Sequence, residues 1–225
     1  MAGTSSSGPR LRAVMFDLDG TLVDTMSAFA DLAAEVMATR HGYDRVRARE
    51  RYLETSGIPF HQQLEVIVPG DARNADASAE FEQRKRAVCD ATMMDRETLT
   101  GLAGLRELGF KLIVSSNTGQ EFVDDFARRE PFTFDLALGF DAKKNLAKGK
   151  PHVDHTRKVF ALDSSELVFC GDSLKDAELA EACGVAFVGR LGTFTLADFQ
   201  ARDANAIAVG NVVELPALLR GKVAA

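Results

Sequence analysis

Residues 13–21, Ala-Val-Met-Phe-Asp-Leu-Asp-Gly-Thr, decide the fold of this chain. The apolar run at 13–16 is too short for a helix and is typical of a buried strand. Asp17 and Asp19 follow it directly, and Gly20 permits a tight turn after them. Because alternate residues of an extended chain point to the same side, we expect both carboxylates to face one site. Carboxylates this close need a cation or a shared proton at neutral pH, and Mg²⁺ is a natural partner because it prefers oxygen ligands.

Short apolar runs recur along the rest of the chain and alternate with longer amphipathic segments. Most of them are rich in Val, Ile, Leu and Phe and end near Gly, Asp or Asn, which indicates buried strands. Such strands separated by helices predict an α/β fold: a doubly wound, Rossmann-like parallel sheet with helices on both faces. The predicted strands after the first are residues 111–116, 136–140, 166–171, 185–189 and, more weakly patterned, 206–209.

The interval 24–98 breaks this alternation because it contains no convincing strand. Its pattern predicts helices instead, and the polar stretch 71–78 is expected to be its most flexible part. Since a crossover between parallel strands needs only one helix, the extra residues predict an inserted helical cap domain. The predicted helices of this insert are 24–41, 44–56, 60–67 and 78–95. The predicted organisation is a disordered tail at 1–10, an α/β core at 11–23 plus 99–225, and a cap at 24–98.

Polar side chains follow the predicted strands, at the edge where open parallel sheets bind ligands. Ser116 and Asn117 end the second run, where hydroxyl, amide and N–H groups suit a phosphate oxygen, although both are also ordinary turn residues. Asp172 ends the fourth run, and Asp176 four residues on could face the same cation or cap the following helix. Lys150 opens another helix, where it could neutralise a phosphate and the Asp17 carboxylate.

Four segments carry these residues in an order that resembles the four motifs of the haloacid dehalogenase superfamily. The resemblance covers residues 11 to about 190. The position of the helical insert, after the first motif, resembles the C1-type cap of the phosphoglycolate phosphatase and β-phosphoglucomutase-like group. The four segments are FDLDGTLVDT (16–25), VSSN (114–117), GKP (149–151) and GDSLKD (171–176).

The resemblance implies a Mg²⁺-dependent phosphatase acting on a small phosphorylated metabolite. Asp17 would attack phosphorus and form an aspartyl phosphate, and Asp19 would serve as general acid and then general base. The implied phosphate-binding residues are Ser116, with Ser115 as a competitor for its role, Asn117 and Lys150. The implied metal ligands are Asp17, Asp19 through its backbone carbonyl, Asp172 and Asp176.

Two other functions compete with phosphate-ester hydrolysis. A β-phosphoglucomutase-like mutase also keeps the second aspartate, but such mutases commonly carry a Thr-x-x-x-His-like stretch at the start of the cap. Here Thr25 is followed by Met-Ser-Ala-Phe, without histidine. A catalytically silent phosphate-ester-binding protein would be expected to have lost Asp17, Asp19 or Lys150, and all three are present.

Composition bears on partners and compartment. The net charge of −6 and the lack of a basic stripe argue against a nucleic-acid partner. No apolar run reaches about 18 residues, so no membrane span is predicted. The three cysteines form no CxxC pair, which fits a reducing cytoplasm.

The cap is expected to choose the substrate. Its candidate polar side chains are Arg45, Arg49, His61, Gln62, Gln63, Arg84 and Lys85. Beyond the cap, His152 and His155 form an HxxH pair, for which a surface or substrate-side role is favoured over zinc because no third ligand is apparent.

Overall fold

The computed structural model of the protein describes residues 10–222. Residues 1–9, which make up nearly all of the predicted tail, lie outside the described residues. Within residues 10–222, no helix is both long enough and apolar enough to cross a membrane.

Six parallel strands form one sheet in the order β3-β2-β1-β4-β5-β6. Phe16 at the end of β1 lies opposite Val114 of β2 on one side and Cys170 of β4 on the other. The chain therefore winds outward in both directions from β1, and the crevice at the carboxyl ends of β1 and β4 is where such sheets bind ligands. The strands are β1 Ala13–Phe16, β2 Lys111–Gly119, β3 Leu136–Phe140, β4 Leu167–Gly171, β5 Ala186–Arg190 and β6 Ala208–Val209.

Helices cover both faces of the sheet, which confirms the predicted doubly wound fold. Alternation along β1 sends Val14 and Phe16 into one apolar core and Ala13 and Met15 into the other, so the strand is buried on both sides. The helices are α1 Met26–His41, α2 Arg45–Glu54, α3 Phe60–Ile67, α4 Asn74–Ala91, α5 Arg96–Glu107, α6 Gln120–Arg129, α7 Lys150–Phe160, α8 Leu174–Ala182, α9 Leu196–Arg202 and α10 Leu215–Leu219.

The helices inserted between β1 and β2 have an apolar core of their own. It is centred on aromatic rings: the Phe60 and Phe81 centroids lie 4.3 Å apart, and Tyr52 and Phe29 pack around them. Aromatic side chains bury large areas, so a few of them give a small helical unit a core separate from that of the sheet.

Helix α5 differs from the other four inserted helices because it packs on the sheet. Its buried Leu102 and Leu105 belong to the core that contains β1 and β2. Gly101 lets α5 also approach the backbone after β6, since a Cβ there would lie 2.4 Å from the Val212 carbonyl oxygen. The predicted domain boundary between residues 98 and 99 therefore falls inside a helix.

The predicted flexible stretch 71–78 is largely helical, which corrects the sequence interpretation. Helix α4 begins at Asn74, and both Asn74 and Ala77 are buried. The Asn74 amide donates to the Glu65 carboxylate at 2.7 Å and to the Val68 carbonyl at 3.0 Å. The polar residues here include the buried amide of Asn74, whose hydrogen bonds are satisfied, and they do not form a flexible loop.

Candidate active site

Three buried carboxylates meet at the carboxyl ends of β1 and β4. Asp17 directly follows β1, Asp172 directly follows β4, and Asp176 lies in the first turn of α8. One carboxylate oxygen from each lies within 4.8 Å of the others. The structure thus brings together three of the predicted metal ligands.

Lys148 bridges two of these carboxylates. Its Nζ lies 2.8 Å from Asp17 Oδ2 and 2.6 Å from Asp176 Oδ1, and its side chain is buried. Gly149, with φ of 95°, follows it and turns the chain into α7. A buried ammonium group on Asp17 can neutralise both that carboxylate and an incoming phosphate.

The cluster holds three carboxylates but one ammonium group, and its pKa values reflect this imbalance. Burial, followed by the neighbouring carboxylates, raises the pKa of Asp17 well above its ordinary value and that of Asp172 to about 7. Burial alone would lower the pKa of Lys148, but Asp17 and Asp176 outweigh it and raise that pKa. A divalent cation would supply the missing positive charge, and an all-oxygen donor set suits a hard cation.

Lys150 is not the lysine at this cluster, which corrects the sequence interpretation. Its side chain is 76% exposed and pairs with Asp154 one turn further along α7. As the first residue of α7 it points outward, whereas Lys148 precedes Gly149 and points into the site. The sequence did contain a signal, since Lys and Asp four residues apart on a helix are typical of a surface ion pair.

Asp176 is largely committed to protein contacts. Its Oδ2 accepts from the Ser173 hydroxyl at 2.7 Å and from the Ser173 N–H at 3.2 Å, which forms a capping box at the start of α8. Its Oδ1 contacts Lys148. The structure therefore places Asp176 where it fixes Lys148 and the helix start.

Asp19 lies beside the cluster but outside it, and two threonine hydroxyls hold its carboxylate. Thr25 donates to Oδ1 and Thr118 donates to Oδ2, each at 2.9 Å. Each oxygen keeps a further lone pair for a proton or a ligand. The resemblance implies that any contact between Asp19 and a metal is made through its backbone oxygen.

The end of β2 brings Ser116 and Asn117 to the same cavity as Asp17. Ser116 Oγ accepts from the Thr118 N–H at 3.0 Å. Asn117 extends to the cap and donates to the Gly57 carbonyl at 3.1 Å. Ser115 turns to the other side of the strand, where its hydroxyl lies 2.9 Å from Nδ1 of the buried His152. This geometry favours Ser116 over Ser115 as a phosphate ligand and makes His152 part of the core.

Cap side chains close the cavity opposite the carboxylates. The cavity has a volume of about 90 Å³. Of the seven cap candidates, Gln63 and Lys85 line it, while Arg49 and Arg84 are tied to acidic residues of the cap itself. The remaining candidates, Arg45, His61 and Gln62, are exposed. The other cap residues lining the cavity are Met26, Phe29, Tyr52, Ser56, Gly57, Ile58, Pro59, Phe60, Phe81 and Glu82.

Sequence reasoning missed several residues that shape the site. Besides Lys148, these are Thr118 and Thr25 on Asp19, the cap residue Tyr52, and Thr193, whose hydroxyl donates to Asp172 Oδ2 at 2.6 Å. Burial raises the pKa of Tyr52 well above its ordinary value, and the carboxylates of Asp19 and Glu82 add to this, which locates its hydroxyl near the site. Isolated threonines and a tyrosine on a helix give no local pattern that separates them from ordinary core residues.

Comparison with known proteins agrees with this geometry. Residues 14–190 match the family model described as haloacid dehalogenase-like hydrolase. A phosphoglycolate phosphatase of Neisseria gonorrhoeae is 27% identical over 192 residues, which cover 80% of this chain and 79% of that protein.

Solved structures share the fold at low sequence identity. A haloacid dehalogenase-like hydrolase of Streptococcus pneumoniae superposes with a TM-score of 0.76 at 19% identity, covering 92% of this chain and 98% of that one. CbbY of Rhodobacter sphaeroides in complex with phosphate gives a TM-score of 0.69 at 19% identity, covering 91% and 96%.

The family match spans most of the chain and includes the strand ends that carry the three-carboxylate cluster. The family and the enzyme class predicted from the sequence, a phosphatase of this family, are confirmed. The chain belongs to the haloacid dehalogenase-like hydrolases.

Proposed function

We propose that the protein is a Mg²⁺-dependent phosphatase that hydrolyses a small phosphate monoester through an aspartyl phosphate on Asp17. The contact of Lys148 with Asp17 carries this proposal. A carboxylate is a weak nucleophile toward a phosphate dianion unless nearby positive charge reduces the repulsion, and Lys148 supplies such charge at the nucleophile itself.

The residues present fit a magnesium site, and we assign Asp17, Asp172 and the backbone carbonyl of Asp19 to it. When bound, Mg²⁺ would neutralise the excess negative charge of the cluster and of the phosphoryl oxygens. Thr193 would hold the Asp172 carboxylate in place through its hydrogen bond. Asp176 would act indirectly, by fixing Lys148.

The reaction would proceed in two steps on these side chains. An Asp17 oxygen forms a bond to phosphorus as the ester oxygen leaves, and Asp19 gives its proton to that oxygen. Asp19 then takes a proton from water as the water oxygen bonds to phosphorus and the bond to Asp17 breaks. Ser116 and Lys148 hold the phosphoryl group throughout, with the Asn117 backbone as a further donor. Acid–base help of this kind contributes about 100- to 10,000-fold.

The substrate should be a phosphate ester with a short leaving group. A cavity of about 90 Å³ that also opens to solvent suits a small ester and leaves part of a larger leaving group at its mouth. Because two sequence relatives from Neisseria are phosphoglycolate phosphatases, phosphoglycolate is the first substrate to test. Cap side chains line the cavity opposite the carboxylates, and their closure over a bound ester would exclude water and strengthen the electrostatic interactions inside.

The proposal is tested by phosphate release from phosphoglycolate and a panel of other metabolite phosphates, with Mg²⁺ and with EDTA. We expect Mg²⁺-dependent release that chelation abolishes and that beryllium fluoride inhibits. Asp17→Asn should abolish it, whereas Asp24→Asn, which changes an exposed carboxylate of the same segment, should leave it intact.

Three outcomes would contradict the proposal. Turnover by Asp17→Asn in metal-free buffer would exclude Asp17 as the nucleophile. Conversion of glucose 1-phosphate to glucose 6-phosphate would indicate a mutase. Stoichiometric binding of a phosphate ester without turnover would indicate a binding protein.

A further inference from the structure

The hydroxyl group of Thr118 links the carboxylate of Asp19 to the cap residue Lys85. Thr118 Oγ1 lies 2.9 Å from Asp19 Oδ2 and 2.9 Å from Lys85 Nζ. Lys85 belongs to α4 of the cap, whereas Thr118 lies in β2 of the core. The three residues therefore form a chain of hydrogen bonds that begins in one unit of the fold and ends in the other.

The direction of this chain is fixed by the chemistry of its members. An ammonium group can only donate, and an ionised carboxylate can only accept. Thr118 has one hydroxyl hydrogen, so it accepts from Lys85 and donates to Asp19. With Lys85 in place, the hydroxyl is not free to rotate toward another partner.

Lys85 is itself held firmly in this position. Its Nζ lies 4.7 Å from the Phe29 ring centroid and 3.7 Å from Asp19 Oδ2, and its side chain is only 15% exposed. A cation over an aromatic face and next to a carboxylate is stabilised in a partly buried site.

We propose that Thr118 is a positioning residue for Asp19 and that the cap residue Lys85 orients the Thr118 hydroxyl. This inference rests on the proposed function, in which Asp19 passes a proton to the leaving oxygen. Thr118 fixes the plane of the carboxylate, so that the unused lone pair of Asp19 faces the ester oxygen. Closure of the cap then orients the general acid Asp19 as well as covering the site, because opening of the cap withdraws Lys85 from Thr118.

Two kinds of ester separate this role from a purely structural one. An alkoxide needs a proton as it leaves, whereas 4-nitrophenolate leaves without one. The ratio kcat/KM reports the steps up to the first irreversible one, which here is transfer to Asp17 with loss of the alcohol. A substitution that misorients the general acid Asp19 should therefore lower kcat/KM for an alkyl ester much more than for 4-nitrophenyl phosphate.

The experiment compares phosphoglycolate with 4-nitrophenyl phosphate, and uses glycerol 2-phosphate as the alkyl ester if the wild type prefers it. Thr118→Val, of nearly the same shape, should lower kcat/KM for the alkyl ester by about 10- to 100-fold and for the aryl ester by less than about 3-fold. Thr118→Ser restores the hydroxyl and should stay within about 3-fold of the wild type on both.

Lys85→Met should give the same pattern at a smaller size, about 3- to 10-fold on the alkyl ester. Arg84→Met is the matched control, because Arg84 is the preceding residue of α4 but pairs with Glu35 and Glu80 of the cap itself. It should change neither ester by more than about 2-fold.

Equal losses on both esters in Thr118→Val would overturn the proposal and assign Thr118 to phosphate binding or to folding. A wild-type rate in Thr118→Val would overturn it as well. An effect of Lys85→Met on phosphoglycolate but not on glycerol 2-phosphate would show that Lys85 binds the leaving group's carboxylate instead. If the wild type hydrolyses neither these esters nor any member of the metabolite panel, the proposed function fails, and the failure is not specific to Thr118; if it hydrolyses another alkyl ester of the panel, that ester takes the place of phosphoglycolate.

Discussion

The two walls of the active-site cavity are built differently. On the core side, Asp17, Lys148 and Asp172 come from strand ends and a turn beside the sheet, and all are buried. On the cap side, Tyr52 comes from the last turn of α2 and Lys85 from the interior of α4, and both lie beside aromatic rings. In the proposed mechanism the core wall would place charge at the phosphoryl group, and the cap wall would shape the space for the leaving group. Substitutions of the charged residues Asp17, Lys148 and Asp172 should therefore act on all substrates alike, and substitutions in the cap wall should discriminate among them.

The largest effect is expected from the lysine of the core wall. Lys148→Met removes the ammonium group from Asp17 and should lower kcat by about 100- to 1,000-fold, the size expected for a group that stabilises charge in a transition state. Because this lysine contacts the nucleophile, the loss should be similar for alkyl and aryl esters. Steady-state kinetics on phosphoglycolate and 4-nitrophenyl phosphate measures both.

Lys150→Met is the matched control for that substitution. It removes the same charge two residues away, from an exposed ion pair, and should change kcat by less than about 2-fold. A larger loss in Lys150→Met than in Lys148→Met would restore Lys150 to the active site and remove the basis of the core wall described above.

The core wall could be predicted from sequence to a large extent, for a physical reason. Parallel strands end at the same edge of a sheet, so Asp17, Ser116 and Asp172 must meet if the strands are correctly located. The strands were correctly located because fully buried strands are apolar on both faces. The sequence interpretation chose Lys150 instead of Lys148 because Lys148 lies in a turn, where the rule about strand ends does not apply. The direction of that turn depends on Gly149.

The cap wall could not be predicted in the same way. Which side chain of a helix faces the site depends on how that helix packs, and Lys85 and Arg86 are adjacent in sequence but have opposite environments. Helix α4 itself begins earlier than predicted, because the buried Asn74 amide finds hydrogen-bond partners in Glu65 and Val68 that a polar sequence does not reveal. Only tertiary packing selects among the candidate cap residues.

A glycine at the contact between the walls allows a sharper test of cap closure. Gly57, with φ of 94°, lies against the loop after β4, and a Cβ there would be 2.5 Å from Ser173 Oγ and 2.7 Å from Lys175 Cβ. Gly57→Ala should push the cap away and lower kcat/KM by about 10-fold, because the reacting groups of the two walls are no longer held together.

Gly42→Ala provides the control for backbone strain. Gly42 is also in the cap and has a φ of 66°, but nothing lies within 4 Å of its Cβ position. Both substitutions should cost about 1–2 kcal/mol in the free energy of unfolding, because L residues are strained in the left-handed region. Equal kcat/KM values for the two variants would show that the contact at Gly57 does not control closure.

The smallest effect concerns His152, which supports the core wall from behind. Burial lowers its pKa to about 4 from the ordinary value of 6.5, and it contacts the Ser115 hydroxyl and the Gly139 carbonyl. Between these two pH values the unfolded chain binds more protons at this residue than the folded one. Its contribution to stability is therefore complete above pH 6.5 and is lost as the pH falls toward 4.

Urea unfolding of the wild type and of His152→Gln, at pH 7 and at about pH 5.5, isolates this contribution. When the pH is lowered from 7 to about 5.5, the change in the free energy of unfolding should be about 1 kcal/mol more negative for the wild type than for His152→Gln. Taking the difference between the proteins cancels the raised carboxyl pKa values of the cluster, which act with the opposite sign. His61→Gln, at an exposed histidine, should retain the wild-type dependence. An unchanged pH dependence in His152→Gln would mean that His152 is protonated as readily in the folded protein as in the unfolded chain. The core wall would then be more hydrated behind β2 than its packing indicates.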